Sequence, residues 1–158
     1  GEIFSRAAMN LAGSARKPFS IWLGPWSIQS QQTDFFPLKL KANYKDIRID
    51  LLLERGDRPM VLQGNKGLSQ KGAEAGNASY YYSYTRLPTS GTIAVKAETF
   101  LVTGNSWFDR EWSSSALADD QQGWDWFALQ LDDGRDLMFY RMRGIDGKAQ
   151  KFSKGILV

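Results

Sequence analysis

Apolar and polar residues alternate along much of the chain with a period of two, which is the spacing of a half-buried β-strand. Over residues 36–44 the even-numbered positions are apolar or aromatic, and Pro, Lys and Asn stand between them. Residues 47–53 repeat the pattern with apolar residues at the odd-numbered positions. The two segments therefore predict strands that have one face toward a core and the other toward water.

Other strands are predicted from runs of β-branched and aromatic residues that end at turn residues. They cover residues 21–29 with a bend at 24–25, then 60–62, 79–84, 93–102, 124–132, 136–143 and 152–158. Turns are expected at 88–91, 133–135 and 145–148, a surface loop over 64–76, and short helices only at 5–11 and 113–119. Many short strands with tight turns favour an all-β fold, as an antiparallel barrel or sandwich.

Composition limits the chemistry that is possible. The chain of 158 residues has neither cysteine nor histidine, which excludes disulfides, thiolate metal sites and Ser-His-Asp triads. Acid–base chemistry is left to Asp, Glu, Tyr, Lys and Arg. The net charge is only +3 and the basic residues are dispersed, so we expect no nucleic-acid partner. No apolar run is long enough to span a bilayer, and the first residues lack a signal-peptide pattern.

Residues 104–126 are the part of the sequence that points to chemistry. Four of the six tryptophans and three carboxylates lie within this stretch: Trp107, Trp112, Trp124, Trp126, Asp109, Glu111 and Asp125. Burial against aromatic rings disfavours the charged form of a carboxyl group, so an acid in such surroundings can keep a proton and deliver it. Aromatic faces also stabilise a cation without reacting with it.

A structural interpretation of the same carboxylates stays open. On a strand, Trp107, Asp109 and Glu111 share one face. The two acids could then form a plain ion-pair cluster with nearby arginines, since buried charges need partners. The arginines considered are Arg86, Arg141 and Arg143.

Several motifs, taken in order, resemble those of a known family. They are Ala-Ser-Tyr-Tyr-Tyr-Ser at 78–83, Thr-Arg-Leu at 85–87, Gly-Asn-Ser-Trp-Phe-Asp-Arg-Glu-Trp at 104–112, Gly-Trp-Asp-Trp-Phe at 123–127, Leu-Met at 137–138, Arg143 and Asp-Gly at 146–147. On these residues the chain resembles the lipocalin-like AttH and carotenoid 1,2-hydratase family, which includes secreted hydrolases, hydroxyneurosporene synthase and kievitone hydratase. The resemblance runs from about residue 4 to the C terminus, and Arg110 stands where many relatives carry histidine.

The resemblance implies a lipocalin-like fold that forms part of a tandem two-barrel protein. Residues 1–88 would end a first barrel and residues 89–158 would begin a second; the alternative is one compact β domain over 1–158. Because family members are longer, the remaining half of the same protein is an expected partner. By the habit of the family we expect a periplasmic or secreted, envelope-associated location, and no cofactor or metal is implied.

The resemblance also implies a hydrophobic cleft for an apolar isoprenoid- or polyketide-like ligand. In hydratase members the aspartate of the Trp-x-Asp motif protonates a carbon–carbon double bond, which makes Asp109 the expected proton donor. Hydration also needs a positioned water, which on physical grounds either Glu111 or Asp125 could orient, and Glu111 is the second expected catalytic residue. The expected ligand-binding residues are Trp107, Tyr82, Trp124, Trp126 and Arg86. The alternative to a hydratase or hydrolase-like enzyme is a lipocalin-like carrier that binds the ligand without chemistry.

Overall fold

The computed structural model describes residues 11–113 and 117–158, and within them twelve strands and no helix are present. The strands are β1 Ala12–Arg16, β2 Phe19–Leu23, β3 Trp26–Ser30, β4 Leu38–Tyr44, β5 Ile47–Leu53, β6 Val61–Leu62, β7 Leu68–Gln70, β8 Ala78–Val95, β9 Glu98–Trp112, β10 Gln121–Gln130, β11 Asp136–Gly144 and β12 Lys154–Leu157. Every pair with a recorded register is antiparallel, which confirms the predicted all-β, antiparallel fold. The helix predicted at 5–11 falls almost wholly on residues 1–10, which lie outside the described residues, as do the central residues 114–116 of the helix predicted at 113–119. Residues 113 and 117–119 are described and are not helical.

The chain divides into two compact units. The first contains the described residues up to 57 together with 87–106, and the second contains 58–86 together with 107–158. The division falls inside the two longest strands, β8 and β9. The tandem arrangement with a boundary between residues 88 and 89 stays a prediction. Within the described ranges, no helix is long and apolar enough to cross a membrane.

The first unit is an antiparallel meander in which β1 to β5 pair in sequence order. Leu38 and Leu53 face each other across β4 and β5 and are both buried. The single strand predicted over 21–29 is wrong, because β2 and β3 form a hairpin around Gly24 and Pro25. Gly24 has a φ of 57°, and a glycine at the first position of a two-residue turn matches the right-handed twist of the flanking strands.

The turn predicted at 88–91 is also wrong, because β8 continues through it and pairs with β5. The Pro88 carbonyl accepts a hydrogen bond from the Glu54 amide at 2.8 Å. Gly91 has a φ of 149°, and a Cβ there would lie 2.1 Å from the carbonyl oxygen of Asp50. Pro88 and Gly91 therefore lie at an irregular part of a strand where two backbones come close together. Proline and glycine are found at such irregular positions in sheets.

The chain reverses instead at Lys96, so the strand predicted over 93–102 is two strands. Lys96 has a φ of 56° and its amide donates to the Asp46 carbonyl at 2.7 Å. The reversal places the C-terminal part of β8 beside the start of β9 in the first unit.

The second unit contains a three-stranded sheet in the order β10-β11-β12, while β6 and β7 pair with the N-terminal part of β8. The hairpin predicted across 133–135 is confirmed, since Gln130 pairs with Asp136. The turn at 145–148 is confirmed as well and leads to β12. The strand β7 was not expected in the loop predicted over 64–76. A core cluster joins one residue of β8 to three of β11: Tyr81, Met138, Tyr140 and Met142.

Candidate functional site

A cavity of about 540 Å³ lies in the second unit, a size typical of small-molecule sites. Its wall is mainly aromatic and apolar, with a few polar side chains. The apolar part includes Tyr81, Trp112, Leu117, Trp124, Trp126, Tyr140 and Met142. The polar part includes Lys71, Ser79, Glu111 and Gln121.

Two predicted ligand-binding residues, Trp124 and Trp126, line this cavity. They are two positions apart on β10, so they project from the same face of the strand. Their side chains are large and apolar, yet Trp124 is 55% exposed and Trp126 is 42% exposed. Asp125, between them, forms an ion pair with Arg143, and neither residue lines the cavity.

Tyr82, a predicted ligand-binding residue, lies on the other face of β8 and does not line the cavity. Ser79, Tyr81 and Ser83 are buried on the inner face of that strand. Tyr82 instead packs on the outer face, with its ring centre 6.2 Å from that of Trp112. The cavity is lined by Tyr81, the neighbouring tyrosine.

Asp109 lies behind Tyr81 and does not itself line the cavity. Its Oδ1 accepts hydrogen bonds from Trp107 Nε1 at 2.9 Å and from Ser83 Oγ at 2.5 Å. The buried Gln63 amide donates to the same Ser83 hydroxyl at 2.9 Å, which directs the hydroxyl proton toward Asp109. Trp107 packs against the core cluster and is likewise absent from the cavity wall.

Tyr81 connects the cavity to Asp109. Its side chain is 3% exposed, its hydroxyl accepts a hydrogen bond from Trp126 Nε1 at 3.2 Å, and the carboxylate of Asp109 lies close enough to act on it electrostatically. Burial raises the pKa of the phenol far above its usual range, and the negative charge of Asp109 raises it further. The hydrogen bond from Trp126 lowers the pKa by a smaller amount. Tyr81 therefore stays protonated at neutral pH and supplies a hydroxyl at the cavity wall.

Glu111, the second predicted catalytic residue, lies at the cavity wall and pairs with a lysine. Lys71 Nζ is 3.0 Å from Glu111 Oε1, and Ser79 Oγ donates to the same oxygen. The ammonium also lies 3.9 Å from the ring centre of Tyr140 and 5.2 Å from that of Tyr81. The predicted ion-pair cluster of acids with arginines is therefore wrong for Glu111, because the partner of this carboxylate is a lysine. No sequence pattern points to Lys71, because it stands in a Gly-, Ser- and Asn-rich segment.

Arg86, a predicted ligand-binding residue, is engaged in an ion pair away from the cavity. Its Nε lies 2.7 Å from Oδ1 of Asp136, a carboxylate with no exposed surface. Its guanidinium also donates to the Leu131 carbonyl at 2.9 Å. Arg86 thus joins β8 to the two ends of the β10–β11 turn and does not line the cavity.

Each carboxylate of the region has its own donors. Among the described residues, no three potential metal-ligating side chains lie together. The site is an aromatic cavity with the protonated Tyr81 phenol and the Lys71–Glu111 pair at its wall.

The AttH-like family matches residues 1–158, whereas no curated protein matches the chain. An AttH protein from Nitrosomonas europaea, known from a crystal structure, is 37% identical with a TM-score of 0.79, over 87% of this chain and 42% of its own. Kievitone hydratase from Nectria haematococca shares the fold, with a TM-score of 0.66 at 17% identity, over 87% of this chain and 44% of its own. The chain thus spans less than half the length of either protein. Because the match covers the whole chain, residues 1–158, the chain belongs to the AttH-like family.

Proposed function

We propose that this chain provides the ligand-binding part of an AttH-like protein and that the cavity of the second unit binds an apolar isoprenoid- or polyketide-like molecule. The observation that carries the proposal is the pair of half-exposed tryptophans, Trp124 and Trp126, on the wall of a cavity of about 540 Å³. Large apolar side chains gain stability when they are covered, and a ligand in the cavity covers both indoles at once.

The size of the effect follows from the exposed area. Trp126 is 42% exposed, and a tryptophan side chain has roughly 250 Å² of surface, so a ligand removes on the order of 100 Å² of it from water. At about 25 cal/mol per Å², this contact contributes ~2.5 kcal/mol, or a factor of about 60 in Kd. Trp126→Ala should therefore weaken the binding of farnesene, an apolar isoprenoid hydrocarbon, by that factor.

Quenching of the remaining tryptophan fluorescence measures the Kd. Phe127→Ala is the matched control, because Phe127 is a half-exposed aromatic on the other face of β10, where it stacks on Phe139. Its Kd should equal that of the native protein. Equal loss of affinity in Trp126→Ala and Phe127→Ala would show that farnesene binds to exposed aromatics in general and would reject the cavity.

A second candidate function is hydration of a carbon–carbon double bond in the bound ligand. The observation in its favour is the position of Tyr81 between the cavity and Asp109. In this scheme a protonated Asp109 passes its proton through the Tyr81 hydroxyl to one alkene carbon, and the indole faces stabilise the resulting cation. A water held by Glu111 adds to the other carbon, and its surplus proton returns to Asp109.

The hydration scheme predicts that water is incorporated into the ligand and that this depends on Asp109. Incubation with farnesene in oxygen-18 water, followed by mass spectrometry, tests it. A heavy-water adduct that is formed by the native protein and lost in Asp109→Asn supports the enzyme. Farnesene recovered unchanged, with the same Kd in Asp109→Asn, supports the carrier.

A further inference from the structure

The lysine–glutamate pair at the cavity wall has hydrogen-bonding capacity beyond its own salt bridge. Glu111 contacts Lys71 and Ser79, and both contacts go to Oε1. Among the described residues, none donates to Oε2. An ammonium has three donor hydrogens, and in Lys71 one of them points to Glu111.

Lys71 is held in place by the surrounding rings and backbone. Its ammonium lies over Tyr140 at 3.9 Å and near Tyr81 at 5.2 Å from the ring centres. Its carbonyl oxygen accepts a hydrogen bond from the buried Gln121 amide at 2.6 Å. A donor positioned in this way needs little further ordering when it meets a ligand, which favours binding.

Gln121, whose side chain carries an amide at the cavity wall, already has hydrogen-bond partners within the protein. Its Nε2 donates to the Lys71 carbonyl and, at 2.9 Å, to Gln150 Oε1, while its Oε1 accepts from the Ala118 amide at 3.0 Å. Among the described residues of the wall, Lys71 and Glu111 are the charged ones, beside hydroxyl groups such as those of Ser79, Tyr81 and Ser113. The pair therefore offers a ligand a charged donor and a charged acceptor side by side.

We infer that the Lys71–Glu111 pair binds a hydroxyl group on an otherwise apolar ligand, so that the ligand class is an alcohol or phenol with a hydrocarbon skeleton. A hydroxyl accepts a hydrogen bond from the ammonium and donates one to Glu111 Oε2 at the same time. A carboxylate fits less well, since it would add a second negative charge beside Glu111. The inference rests on the proposed binding of apolar molecules in the cavity.

Three probes with the same hydrocarbon skeleton separate the contributions of hydrogen-bond donation, hydrogen-bond acceptance and apolar contact to the binding. Farnesol donates and accepts, farnesyl methyl ether only accepts, and farnesene does neither. Because hydrogen bonds to charged groups are the stronger ones, the native protein should bind farnesol about 10- to 100-fold more tightly than farnesene, with the ether between them. Fluorescence quenching gives the three Kd values without any mutation.

Variants of Lys71 then assign the preference. Lys71→Met should reduce the affinity for farnesol to that for farnesene, while Lys71→Arg should keep the order of the three probes. Lys151→Met is the control, because Lys151 lies over the Phe152 ring and not at the cavity wall, and it should change nothing. Circular dichroism confirms that each variant is folded.

The outcomes distinguish the two claims. Equal Kd values for farnesol and farnesene on the native protein would overturn the hydroxyl inference and leave the proposed apolar binding intact. A preference for farnesol that survives in Lys71→Met would overturn the assignment to Lys71. Failure of all three probes to bind would overturn the proposed function, and the inference with it.

Discussion

Replacing Arg86 by methionine should destabilise the second unit by about 3–5 kcal/mol, although the side chain lies away from the cavity. The reason is Asp136, whose carboxylate has no exposed surface and receives Arg86 Nε at 2.7 Å. Among the described residues, its Oδ2 has no hydrogen-bond partner. Without the arginine a buried charge is left without compensation, and the Leu131 carbonyl loses a donor as well.

Urea unfolding followed by tryptophan fluorescence measures the loss, because four of the six tryptophans belong to the second unit. Arg135→Met is the matched control, since Arg135 pairs with Asp133 at the exposed tip of the same turn. Its unfolding midpoint should equal that of the native protein. Combining Arg86→Met with Asp136→Leu should recover part of the stability, since the double variant no longer buries a charge.

Two results would refute this reasoning. If Arg86→Met unfolded at the same urea concentration as Arg135→Met, the buried ion pair would not stabilise the unit. If Arg86→Met stayed as stable as the native protein but lost affinity for farnesene, Arg86 would be a ligand-binding residue after all.

Two further predictions concern Tyr81 and Gly91. The pKa of Tyr81 is raised in the folded protein, so the contribution of this tyrosine to stability is complete below the unfolded pKa of about 10 and is lost as the pH rises above that value. Phenolate absorbance, compared with that of Tyr81→Phe, should show that Tyr81 does not ionise together with the exposed tyrosines. Asp109→Asn should lower the pKa of Tyr81. An Ala at Gly91 would place its Cβ 2.1 Å from a backbone oxygen of β5, so urea unfolding should show a loss of about 2 kcal/mol or more, whereas Gly104→Ala, with open space around it, should stay within ~0.5 kcal/mol. Equal midpoints for the two alanine variants would contradict the close contact.

The strands were predictable wherever one face is buried and the other is wet. β4 follows its alternation almost residue for residue, because a shift by one position would expose every apolar side chain. β5 follows it less closely, since Ile47 is exposed and only Leu53 is buried. The turn predicted at residues 88–91 was wrong, because Pro and Gly occur both in turns and at irregular positions within strands. Only the partner strand decides between them, and in this chain the partner is β5.

The site was predictable in its tryptophans and not in its polar groups. Trp124 and Trp126 stand in a recognisable string on a strand with clear alternation. The sequence does not distinguish Tyr82 from Tyr81, because tyrosines occupy both faces of β8. The small buried serines that mark the inner face of this strand form only a weak pattern. Lys71 reaches Glu111 across 40 positions of sequence, a contact that no local pattern encodes.

The indole N–H resonances of the six tryptophans test the central claim most directly. In a titration of the labelled native protein with farnesene, followed by NMR, the signals of Trp124 and Trp126 should shift together and saturate. Those of Trp22 and Trp26, in the first unit, should stay in place. Shifts confined to Trp22 and Trp26, or no shift at all, would contradict an apolar ligand site in the cavity of the second unit.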